Sequence, residues 1–263
     1  MAGFGVYCRE ILWNHRFQIS EDVRSGDGRF FDNILIGTAV CLEEGRARGR
    51  LQHRISSEEC AGRRDMCTLI HRAYDQRLFT STQGTFSMRL SDGSFLITPF
   101  MKDRKYLEPQ DIVRIKNGMS ETGKIPSRSA LLHQEIYDQH AGVNAVIIAH
   151  PPAIMAFAVT EAEFDSRTIP ESYIMLRNVK RLPFASSQLD VAGTAASFSA
   201  SSPVLMVDNQ CVIVVGDSLL NAFDRLEVLE YSAAAVIAAR SIGPIVSISP
   251  EEVKDIEKAF HLE

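Results

Sequence analysis

Apolar positions along this chain keep two rhythms, and the changes between them mark out its elements. From residue 57 to about 243 a helical spacing alternates with short continuous apolar runs, with turn residues at each change. That alternation predicts a layered α/β or α+β domain. Met66, Leu69, Ile70, Ala73 and Leu78 follow Ser57-Glu58-Glu59 at helical intervals, which predicts an amphipathic helix with Ser57 as its N-cap. Segments 85–90 and 94–98 flank Ser91-Asp92-Gly93. Asp-Gly tolerates the positive φ of a tight turn, so a hairpin is predicted there. Segment 107–115 reads as a turn leading into a strand, Asn117-Gly118 as another turn, and 127–140 as a helix.

The run Ala145–Ala149 is apolar throughout, as in a strand covered on both faces, and ends at His150-Pro151-Pro152. Segments 204–207 and 212–215 surround Asp208-Asn209-Gln210-Cys211 as a second hairpin. After Gly216-Asp217-Ser218 a helix is predicted over 219–239, capped by Ser218 or Asp217, and a short acidic helix over 250–260. Residues 1–56 differ. There Ser25-Gly26-Asp27-Gly28 precedes Phe30-Phe31 and Ile34-Leu35-Ile36, which suggests strands about a glycine turn. They are read as an N-terminal extension of unknown role, packed on the main domain of 57–263 or left from a fused upstream domain.

Composition narrows the class. The 263 residues can bury a substantial core, and 45% hydrophobic with 23% charged residues is ordinary for a globular protein. A net charge of -5 offers no general attraction to nucleic acid or an anionic membrane, so neither is expected as a partner. Arg46, Arg48, Arg50, His53, Arg54, Arg63 and Arg64 stand among Glu43, Glu44, Glu58 and Glu59, and read as a solvated charged face. No run approaches the roughly 18 apolar residues of a membrane span, and Met1-Ala2-Gly3-Phe4 leads into charge, so a cytoplasmic location is expected. Cys8, Cys41, Cys60, Cys67 and Cys211 are scattered without a C-x-x-C pair and read as reduced thiols.

Several segments, in order, resemble the class II aldolase/adducin family. They are Thr80-Ser81-Thr82-Gln83-Gly84-Thr85-Phe86-Ser87-Met88-Arg89, Ile97-Thr98-Pro99, Leu107-Glu108-Pro109-Gln110-Asp111-Ile112-Val113, Pro126-Ser127 and His133-Gln134-Glu135-Ile136-Tyr137. The later ones are Ala145–Ala149 with His150-Pro151-Pro152, and Val214-Val215-Gly216-Asp217-Ser218-Leu219. The resemblance implies a three-layer α/β/α domain with a mainly antiparallel central sheet. It also implies a homo-oligomer, often a tetramer with pockets between subunits. Pairing with an active paralogue is an alternative.

In that family a divalent metal, usually zinc, polarises a carbonyl while a carboxylate moves the proton. The resemblance puts two metal-binding histidines one residue apart on a strand, where both face the same way, and a third near the later hairpin. In this chain those positions hold Ile148, His150 and Gln210, and Ser129 occupies the carboxylate position. A full structural zinc site contributes about 10–16 kcal/mol. One imidazole supplying roughly a quarter of that gives a dissociation constant on the order of 1 mM. No metal cofactor is therefore expected.

The resemblance assigns a phosphate pocket to Thr82, Gly84, Thr85, Ser127 and Arg128. Thr82, Gly84 and Ser127 match the family, whereas Thr85 replaces asparagine and Phe100-Met101 replace a small residue and glycine. Large side chains at 100 and 101 are expected to fill the cradle. Arg128 could bind an anion, against the commoner role of a surface ion-pair partner. His133 and His140 are expected to be structural. The function expected is that of a catalytically degenerate member acting as an assembly or interaction module. The alternative is a carbonyl lyase or epimerase with a rebuilt, zinc-independent site, drawing on His150, Arg128 and Cys211.

Overall fold

The computed structural model describes residues 55–262, so the readings made for the N-terminal extension fall almost wholly outside the described residues. Eight strands form one sheet: β1 Thr85–Arg89, β2 Phe95–Ile97, β3 Val113–Lys116, β4 Met119–Ser120, β5 Ala145–Ala149, β6 Val179–Leu182, β7 Val204–Val207 and β8 Cys211–Gly216. Their order across the sheet is β4-β3-β2-β1-β5-β8-β7-β6. Only the edge pair β6–β7 is parallel; every other pairing is antiparallel.

The helices are α1 Ser57–Asp75, α2 Ala130–Gln139, α3 Pro152–Ala158, α4 Pro170–Leu176, α5 Ser186–Leu189, α6 Val191–Ala196, α7 Leu219–Arg240 and α8 Pro250–Ala259. Strand alternation sorts the sheet into two buried faces. Phe86, Leu96, Ile147, Met206 and Val214 join Met66 and Ile70 of α1 and Phe223 and Leu226 of α7 in one apolar cluster. Ile97, Val146, Ile148, Leu205 and Ile213 join Leu132 and Ile136 of α2 and Ala195 of α6 in the other. Helices thus cover both faces, giving the expected three-layer α/β/α architecture. All five residues of β5 are buried for that reason.

The element boundaries follow local chemistry. Ser56, not Ser57, caps α1: its hydroxyl accepts from Glu59 N at 3.1 Å, so the helix begins one residue earlier than the pattern suggested. Ser218 caps α7 by accepting from Asn221 N at 3.2 Å. The helix expected over 127–140 starts only at Ala130, because Ser127 N is drawn into a bond to Thr98 O at 3.0 Å. Helices α3 to α6 and strand β6 have only four to seven residues each, too short to leave a periodic trace.

Arg63 corrects the reading of a solvated basic face. It is 5% exposed on the buried side of α1, with its guanidinium 2.5 Å from Glu59 and 2.8 Å from Glu121. Two carboxylates, Glu59 on the same helix and Glu121 just after β4, compensate its burial. Among the described residues no helix is long and apolar enough to cross a membrane.

Gly216 ends β8 where α7 begins. A Cβ there would lie 2.6 Å from Ala222 N and 2.9 Å from Ala222 Cα, atoms of a helix backbone that cannot move aside. Gly216→Ala is expected to destabilise the fold by about 1–3 kcal/mol, read as a lower midpoint in urea with an unchanged slope.

Candidate functional site

The site gathers where the N-terminal end of β1 meets the loops before α2 and after β2. Gly84 has φ +77°, and a Cβ at that position would lie 2.6 Å from the Phe79 ring. Glycine is required on both counts. The amide N–H groups of Thr82, Gln83 and Gly84 meet no acceptor among the described residues. Successive N–H groups beside a left-handed glycine are a type of backbone that can bind an anion.

Three hydroxyls close around the same point. Thr85 Oγ1 lies 2.8 Å from Ser127 Oγ, Ser127 Oγ lies 3.1 Å from Ser129 Oγ, and Ser129 Oγ donates to Thr85 Oγ1 at 3.1 Å. The carboxylate position of the family therefore does come together with the phosphate residues, but it holds a third hydroxyl. Hydroxyl protons rotate freely and can turn outward to an incoming anion. A hydroxyl cannot serve as a base near neutrality unless another group takes its proton. Among the groups bonded to Ser129 none is a carboxylate or imidazole side chain.

The expected filling of the cradle at 100 and 101 is only half right. Met101 is 59% exposed and has φ +53°, the left-handed backbone that a glycine would adopt there. Its side chain leaves the cradle instead of plugging it, and Phe100 alone is half-buried. Arg128 is exposed and stacks over the Phe100 ring, its guanidinium carbon 5.5 Å from the ring centroid. It forms no ion pair among the described residues, so the surface ion-pair reading does not hold for it.

The positions corresponding to metal ligands lie beside the cradle. Ile148 stands opposite Thr85 in the β1–β5 register and is 8% exposed, packed into the α2-side core. His150 follows two residues on. Its backbone N–H donates to Leu78 O at 2.9 Å, its Nδ1 is buried without a partner, and burial holds its imidazole below the usual histidine range. Gln210 Nε2 donates to Gln188 Oε1 of α5, leaving Gln210 Oε1 buried and unpaired.

One imidazole, one amide and one alkyl chain do not fit zinc, which takes imidazole, thiolate or carboxylate donors in a closed set. Among the described residues no group of three or more His, Cys, Asp or Glu side chains is arranged to hold a metal ion. Cys211 is 3% exposed, and burial pushes its thiol up to about 12, so it is a core residue and not a nucleophile paired with His150.

Arg104 is a residue that sequence reading missed. It lies in the loop after β2 and is 2% exposed. Its guanidinium donates to Gly84 O at 3.0 Å, Thr82 O at 3.4 Å, Pro99 O at 3.2 Å and Lys102 O at 2.8 Å. One side chain thereby ties both walls of the cradle together. The only sequence signal was an arginine inside a charged run, which reads as surface.

A polar seam continues from the cradle into the α2-side core. Ser129, His133 and Tyr137 recur every fourth residue on one face of the α2 segment, opposite Thr85 and Ser87 of β1. Ser87 Oγ lies 2.6 Å from both His133 Nδ1 and Tyr137 Oη. His133 is fully buried, which pulls its imidazole down to about 3. The unfolded chain takes up this proton near 6.5, whereas the folded chain refuses it until about 3. The stability from neutral His133 is therefore complete above about pH 6.5 and falls by about 1.4 kcal/mol per pH unit below it. Urea unfolding at about pH 7 and pH 5 is expected to give this slope for the wild type and a shallower one for His133→Gln.

Comparison with known proteins identifies the family. The family described as Class II Aldolase and Adducin N-terminal domain matches residues 64–237. The 3-oxo-tetronate 4-phosphate decarboxylase of Escherichia coli strain K12 is 27% identical over 180 residues, covering 66% of this chain and 85% of that protein. The L-fuculose phosphate aldolase of Methanococcus vannielii is 27% identical over 169 residues, covering 64% of this chain and 91% of the relative. The crystal structure of an aldolase II superfamily protein from Pseudomonas syringae superposes with a TM-score of 0.69 at 21% identity, over 80% of this chain and 89% of that one. With the family match spanning most of the described fold, the chain belongs to the class II aldolase and adducin N-terminal domain family.

Proposed function

We propose that this chain binds a small phosphorylated carbohydrate or related phosphate monoester, does not perform zinc-dependent cleavage on it, and serves as a ligand-binding assembly module. The observation that carries this reading is the contrast within one site. Its anion cradle keeps the required glycine, three free amide N–H groups and three converging hydroxyls, while the neighbouring metal and carboxylate positions hold Ile148 and Ser129. Phosphate recognition needs only donors and small side chains, so it survives the loss of the reactive groups. Two relatives are named for sugar-phosphate substrates, which supports the ligand class.

A second reading keeps the ligand and adds zinc-independent chemistry. What favours it is Arg128, an exposed guanidinium without a carboxylate partner among the described residues, 5.5 Å over Phe100 at the cradle. A fixed cation there could polarise a carbonyl or hold a carboxylate.

The test combines calorimetry, metal analysis and an activity assay on the full chain. Inorganic phosphate and L-fuculose 1-phosphate are expected to bind, and unphosphorylated fuculose is not. Zinc is expected well below one equivalent, with no aldol cleavage. Stoichiometric zinc together with cleavage at ordinary enzymatic rates would overturn the degenerate reading, and absence of any phosphate binding would remove the ligand class. Sedimentation is expected to show a homo-oligomer; a monomer at micromolar concentration would remove the assembly role.

A further inference from the structure

We propose that Arg104 is the buried cation beneath the cradle that makes it select doubly charged phosphate monoesters over singly charged anions of the same shape. The inference rests on the cradle being a phosphate site and adds the residue that sets its charge preference.

Geometry comes first. The Arg104 side chain meets carbonyls on both sides of the cradle, Thr82 and Gly84 before β1 and Pro99 and Lys102 after β2, and its own amide donates to Ser81 O at 2.7 Å. In a trans peptide the carbonyl of one residue and the N–H of the next point opposite ways. With Thr82 O turned to the guanidinium, the Gln83 N–H is turned away from it, and this N–H has no acceptor among the described residues. Arg104 therefore orients the Gln83 N–H, one of the donors offered to an anion.

Charge comes second. Every side-chain contact made by Arg104 is to a neutral carbonyl, and no carboxylate bonds to it. Asp103 is near enough to favour the charged form, but it is exposed and accepts from Lys105 N at 2.9 Å. Burying a guanidinium without a bonded counter-ion is costly, and burial draws its pKa down to about 10 despite Asp103, still charged at neutrality. A buried positive charge in a low-dielectric floor acts on an anion in the cradle with little screening. The other cations nearby are differently placed. Lys102 pairs with Asp111 at 2.7 Å, Lys105 lies over the Tyr74 ring, and Arg128 is exposed, so their effects are screened by salt.

The experiment compares methyl phosphate with methyl sulfate at ~pH 8, above the second phosphate ionisation near 6. These probes share size and shape and differ in charge. Wild type is expected to prefer methyl phosphate by about tenfold or more, and to keep that preference at high salt. Arg104→Gln is expected to reduce the preference to below about threefold. Arg104→Lys is expected to bind both probes more weakly, because it loses the fork of donors, while retaining the preference. A purely structural tie would weaken both probes equally in the two variants.

The outcomes separate the two proposals. If wild type binds neither probe, the phosphate-site reading fails and takes this one with it. If wild type binds both with a ratio near one, the role of Arg104 is refuted without recourse to any variant. A folded Arg104→Gln protein that keeps the wild-type preference refutes it as well and leaves the phosphate site standing.

Discussion

Strand β1 carries two chemistries on its two faces, and both the core and the cradle depend on how they are separated. Phe86 and Met88 point to the helix layer of α1 and α7, where Phe86 meets Phe79 and Phe223. Thr85, Ser87 and Arg89 point the other way, to α2. There they meet Ser129, His133 and Tyr137, and Arg89 lies over the Tyr137 ring. The strand is paired on both sides, to β2 and to β5, so neither face can shift without breaking a ladder. Hydroxyls at 85 and 129 are thus held together by the same alternation that builds the core.

The neighbouring strand packs an alkyl side chain where the family resemblance expects a metal ligand. Ile148 lies across from Thr85 and across from Ile213, with apolar neighbours from α2 and α6 beyond it. An alkyl side chain at that position gains burial that a ligand would forgo. His150 and Gln210 retain buried polar atoms without partners, but they are not bonded to one another.

Much of the fold was legible in periodicity. The five residues of β5, both hairpins and the long helix over 219–240 stand where the apolar pattern placed them, since each buries enough surface to leave a periodic trace. The segment between 152 and 202 was not legible. Its helices have four to seven residues each, and its strand β6 is half-exposed at the sheet edge. Met101 was misread as a plug because side-chain size was visible and backbone φ was not.

For the site, the sequence by itself determined what two positions cannot supply: isoleucine at 148 offers no donor to a metal, and serine at 129 offers no carboxylate, wherever they are placed. It also determined that a glycine stands at 84. Only the tertiary structure decided what those positions do together: that Thr85, Ser127 and Ser129 converge, that Arg128 stacks instead of pairing, and that Arg104 lies beneath the loop. The reason is physical. Composition and spacing specify what a side chain can donate or accept, but the burial of a charge depends also on distant carbonyls around it, such as those of Thr82 and Gly84, 22 and 20 residues from Arg104 in the chain.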